Sequence, residues 1–113
     1  MTSDTGGIYE ALIPISNWNI LIETDVTGKT TERLIGLNES DGLGHISEKI
    51  FHFDEKTKVA LMETGPRYQV NGAPGLPHSK TIVTLTKRIG FKRTLKLLGN
   101  GRVDHLKFRY PLS

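Results

Sequence analysis

The sequence predicts a mostly β fold: a compact antiparallel β-sandwich or small β-barrel of about seven or eight short strands, with at most one short helix. Three observations predict it. Residues 18–26 alternate with a period of two, the mark of a half-buried strand. Turn chemistry (Thr27-Gly28-Lys29, Asp41-Gly42, Gly65-Pro66, Gly99-Asn100-Gly101) recurs along the chain at roughly the 8–12-residue spacing of sandwiches and barrels. No internal repeat, low-complexity tract or linker divides the 113 residues. That length fits one domain, here expected over 8–113 behind a small polar tail at 1–7.

The elements follow in order. Residues 8–15 are apolar, with Pro14 near the end, and fit either a short strand or a helical turn. Trp18, Ile20, Ile22, Thr24 and Val26 then form one strand face, and residues 32–37 return as the second arm of a hairpin. A loop at 38–44 leads to 45–53, where a strand fits better than a helix because the Asp54–Thr57 turn directs the chain into a further strand at 58–64. Residues 67–70 form a short strand. The loop 71–79 holds two Gly and two Pro. The β-branched run 81–88 (TIVTLTKR) predicts a strand. Residues 91–98 fit an amphipathic helix through Phe91, Leu95 and Leu98. They also fit a strand, which is preferred because Gly99-Asn100-Gly101 is a hairpin signal. The last strand shows Asp104, Leu106, Phe108 and Tyr110 on one face and His105, Lys107 and Arg109 on the other, and stops at Pro111.

Composition excludes several function classes. With no Cys, the chain has no disulfide scaffold, thiolate zinc site or cysteine nucleophile. No apolar run approaches the roughly 18 residues of a membrane span, and the N-terminal residues lack a secretory pattern, so a cytoplasmic protein without a membrane partner is expected. Residues 1–63 carry a net charge of −6 and residues 64–113 a net charge of +9. Such a split has two readings. Acidic and basic strands meet within one sheet, or the cations share a face that attracts a polyanion.

The chemical motifs are weak. The loop GAPGLPHSKT lacks the Gly that precedes Lys in a phosphate-cradling loop, and its prolines stiffen it. It remains a candidate recognition loop through Asn71, Pro74, Leu76 and His78. His52 and Asp54 share a strand face, but two ligands do not make a metal site. No nucleophile elbow occurs, and carboxylate pairs drawn from Glu23, Asp25, Glu48 and Asp54 are unspecific in an acid-rich half-chain. No catalytic residue, cofactor or metal is therefore assigned, and catalysis is not favoured. The strongest candidates are the cations Lys87, Arg88, Lys92, Arg93, Lys96, Arg102, Lys107 and Arg109, as a surface for nucleic acid or an acidic partner. The expected function is a small non-enzymatic interaction module that binds a protein partner or forms a homo-oligomer through complementary charged surfaces. The alternative is a nucleic-acid-binding β-barrel that uses the basic C-terminal strands, and the next is an enzyme of unknown class.

Overall fold

The chain folds around one long, bent strand. In the computed structural model, which describes residues 12–112, β1 spans Leu12–Thr24. The expected tail at 1–7 and residues 8–11 lie outside the described residues. Residues 12–15 of the apolar segment and the alternating segment up to Thr24 are thus one strand, kinked between Ser16 and Asn19 by a register shift. Asn17 supplies the positive φ there, which Asn tolerates better than most residues.

A meander follows: β2 (Thr30–Asn38), β3 (Leu43–Asp54), β4 (Val59–Met62) and β5 (Arg67–Val70), each antiparallel to the strand before it. Alternating directions leave the first and fifth strands parallel. β5 indeed pairs in parallel with the start of β1, Leu12↔Arg67 to Ile15↔Val70, which closes a five-stranded barrel. Beyond its kink, β1 leaves β5 and pairs with β7 (Leu106–Phe108), which carries β6 (Arg102–Val103) on its outer edge. The mostly β barrel expected from the sequence is the fold. Its one parallel seam departs from a purely antiparallel sheet.

Two helices cover the outer face: α1 (Ser79–Ile89) and α2 (Phe91–Asn100). The strand expected over 81–88 is a correction. The segment is helical because Thr81, Leu85 and Ile89 recur every four residues on the side that meets the sheet. The hydroxyls of Thr84 and Thr86 donate to the carbonyls four residues back, whereas the hydroxyl of the buried Thr81 has no hydrogen-bond partner among the described residues. The strand preferred within 91–98 is also a helix, making two helices among the described residues rather than at most one. The hairpin expected at Gly99-Asn100-Gly101 is instead the end of α2. Gly101 adopts the left-handed conformation and its N–H donates to the Leu97 carbonyl.

The parity of β1 divides the apolar residues into two cores. Ile20 joins Ile15, Trp18, Leu34, Ala60, Met62, Tyr68 and Val70 inside the barrel. Its neighbour Leu21 points the other way, to Ile35, Leu85, Leu97, Val103 and Phe108 beneath the helices. Gly44 of β3 lets α1 sit on the sheet backbone: a Cβ there would lie 2.5 Å from the Lys80 carbonyl oxygen. Asn19, fully buried, ties the layers together. Its amide donates to the carbonyls of Gly75 and Tyr110, and its oxygen accepts from the N–H groups of Ile20 and Tyr110.

Candidate functional site

The eight cations do not form one cluster. Lys87 and Arg88 end α1, and Lys92, Arg93 and Lys96 lie on α2. Only Gly90 separates the two helices; all five cations are exposed on this helical layer, and Arg88 and Arg93 line one cleft at the junction. Arg102 and Lys107 face each other across β6 and β7. Leu106 and Phe108 point to the helix layer, so strand parity puts Lys107 and its partner Arg102 on the opposite face. Arg109 is committed elsewhere. It pairs with Glu32 at 2.8 Å and Glu55 at 3.8 Å, carboxylates from the acidic half of the chain. Burial opposes its charge, but the hydrogen bond and charge of Glu32, with Tyr110 and Glu55, outweigh that and hold it more firmly protonated.

The charge asymmetry is therefore satisfied in some places and open in others. Glu23 pairs with Arg33 and Glu63 with Lys49. Asp25 and Asp54 accept backbone N–H bonds in their own turns, and their carboxyls sit below the ordinary carboxylate value, chiefly through Thr27 and Lys56 respectively. Four of the five helical cations, Lys87, Arg88, Lys92 and Lys96, make no ion pair among the described residues. Arg93 meets Asp104 at 3.2 Å in an exposed pair, a contact worth little in water. No Asp or Glu occurs from Thr64 to Val103, so neither helix carries an acid. Lys92 and Arg93 sit in the first turn of α2, where the helix dipole is positive, and no side chain caps that end. This placement costs folding energy and concentrates positive potential at the junction of the helices.

Apolar side chains stand among these cations. Phe91 and Leu95 are 66% and 53% exposed on one face of α2, and Val83 is 55% exposed on α1. The apolar stripe Phe91–Leu95–Leu98 is thus not the buried one. α2 packs through Thr94, Leu97 and part of Leu98, and turns Phe91 and Leu95 outward. A cleft of about 620 Å³ opens beside the junction. It is lined by the apolar Ile89 and Leu106, by Arg88, Arg93 and His105, and by the carboxylates of Glu23 and Asp104. Sequence reading named Phe91 and Leu95 on a possible amphipathic helix but missed their exposure and this cleft, which depend on how residues 79–100 pack as two helices.

The loop candidates are occupied structurally. The N–H of Asn71 donates to the Ile15 carbonyl, and its side chain donates to Glu39. His78 caps α1, its Nδ1 accepting from the Lys80 N–H and its carbonyl from Thr81 and Ile82. Those bonds use the amides that a phosphate cradle would need. Pro74 is half-buried, Pro77 is buried and Leu76 is exposed. The Trp18 indole donates to the Gly72 carbonyl, which pins the loop to β1. Among the described residues no three His, Asp or Glu side chains converge as metal ligands. No helix of the described residues is long and apolar enough to cross a membrane. Comparison with protein-family models, with curated proteins and with solved structures finds no match to the chain.

Proposed function

We propose that this protein is a non-enzymatic binding module that docks a polyanionic partner on its helical layer. The observation that carries this reading is the acid-free pair α1–α2, whose Lys87, Arg88, Lys92 and Lys96 are exposed and unpaired among the described residues. A folded surface that keeps like charges together, with only the exposed Arg93–Asp104 pair as a counter-charge among the described residues, favours a ligand that supplies more. Self-association through complementary surfaces is the weaker reading. It needs a free acidic face, and Glu23, Glu32, Glu55 and Glu63 are already paired with cations of the same chain, which leaves Glu39, Asp41 and Glu48 without a salt bridge among the described residues.

Fluorescence anisotropy with labelled oligonucleotides, from about 50 to 200 mM salt, tests the reading, because several phosphate contacts cost orders of magnitude in affinity over that range. The combined variant Lys87→Gln, Arg88→Gln, Lys92→Gln, Lys96→Gln is expected to abolish binding. Lys56→Gln with Lys58→Gln, in the turn between β3 and β4, is expected to leave it intact. Equal losses in the two variants would contradict a helical site.

A further inference from the structure

We infer that the polyanion is a single-stranded nucleic acid, with Phe91 as a stacking platform and the cleft at the helix junction receiving one unstacked base. The inference rests on the polyanion reading above and narrows it. Phosphates alone would be served by the cations and have no use for exposed apolar groups. α2 nevertheless turns Phe91 and Leu95 to solvent while burying Thr94, whose hydroxyl must be satisfied by donating to the Gly90 carbonyl. Phe91 and Leu95, four residues apart, form one exposed ridge of the helix, and Lys92 and Lys96, also four apart, form the next, with Lys92 three residues before Leu95, so an apolar ridge and a cationic ridge run along one helix on adjoining faces. That combination, a π-face beside a phosphate contact, is how proteins hold single strands without strict sequence preference.

The cleft adds a second requirement that a duplex does not meet. At about 620 Å³ it exceeds what a phosphate needs, and its lining is mixed. Ile89 and Leu106 offer apolar contact, Arg88 and Arg93 offer guanidinium planes, and Asp104 offers an acceptor for base N–H groups. A paired base keeps its faces stacked and its edge occupied, and so reaches neither Phe91 nor the cleft. An anionic lipid surface fits less well. Two outward residues one turn apart are a small part of the apolar face of an interfacial helix.

The test uses the full chain and a mixed-sequence oligonucleotide, single-stranded and as its duplex, at one ionic strength, with vesicles containing phosphatidylserine as a third ligand. The single strand is expected to bind at least about tenfold more tightly than the duplex. Phe91→Ala is expected to weaken the single strand about tenfold and the duplex little, with the salt slope unchanged. Lys92→Gln with Lys96→Gln should instead lower the slope by about 1.4, two phosphates at roughly 0.7 each. Phe91 lies outside both cores, so an unchanged melting temperature will show that the variant folds. Equal affinity for the two forms, or no effect of Phe91→Ala, would overturn the inference while leaving a polyanion site. Binding to vesicles but not to oligonucleotides would also overturn it. No binding to any of the three ligands at about 50 mM salt would overturn the polyanion reading itself.

Discussion

At the residue scale, Asn19 shows how much one buried polar side chain can organise. It holds the loop before α1 through Gly75 and the chain after β7 through Tyr110, two segments far apart in sequence. Asn19→Leu would leave those carbonyls and the Tyr110 N–H buried without partners. A loss of at least about 2 kcal/mol is expected, since each unmet buried group costs about 1–3 kcal/mol. Asn19→Asp should cost more, because a carboxylate would then face two carbonyl oxygens. Urea denaturation of the two variants measures both effects. His45 provides a pH dependence. It is half-buried, with Nε2 2.9 Å from the Tyr68 hydroxyl, and burial pushes its pKa below the ordinary value, against smaller opposite effects from Asp41 and Glu48. The folded state therefore binds this proton less readily than the unfolded state does. The contribution of neutral His45 is complete above the unfolded pKa of about 6.5 and is lost as pH falls through the lower folded value. Denaturation midpoints should drop from pH 7.5 to 5.5, and His45→Gln should flatten that drop. Asp25 and Asp54, also depressed, act only in a more acidic window, below the ordinary carboxylate value of 3.8.

At the element scale, the two helices are short and, in α1, rich in β-branched residues, so packing on Leu21 and Ile35 holds them rather than intrinsic propensity. Gly90 joins them with φ 94° and ψ 160°, a conformation that side chains bearing a Cβ rarely adopt. No atom lies within 4 Å of a Cβ built there, so Gly90→Ala isolates the backbone cost, expected at about 1–3 kcal/mol in thermal or urea melts. The same elements show what the sequence made legible. The hairpins β1–β2 and β3–β4 and the short strand β5 follow from alternation and turn residues, although the centres of β1 and β2 are buried on both faces, Ile20 and Leu34 in the barrel and Leu21 and Ile35 beneath the helices. α1 was hidden because Thr, Ile and Val favour strands in general, while its four-residue burial period is carried partly by Thr81, a polar residue. α2 was hidden because Asn-Gly chemistry serves a hairpin turn and a helix C-terminus equally. The cations were identified from composition, but their division between helix layer, opposite sheet face and the Arg109 ion pairs needed the topology.

At the scale of the whole molecule, the acidic half of the chain builds most of the barrel and neutralises much of its own charge, while the basic half supplies the helical layer and leaves it charged. Like charges held on one layer oppose folding, and an anion bound there relieves them. A polyanionic ligand should therefore raise the melting temperature at low salt, and the gain should shrink as salt screens the interaction. The most direct test of a helical-layer site is an amide chemical-shift map recorded while a short oligonucleotide is titrated in at low salt. Perturbations confined to residues 83–96 and to the turn at 104–106 are the predicted result. Perturbations centred on the opposite face, at Thr30–Glu32 and Lys49–Phe53, or no perturbation at all, would contradict it.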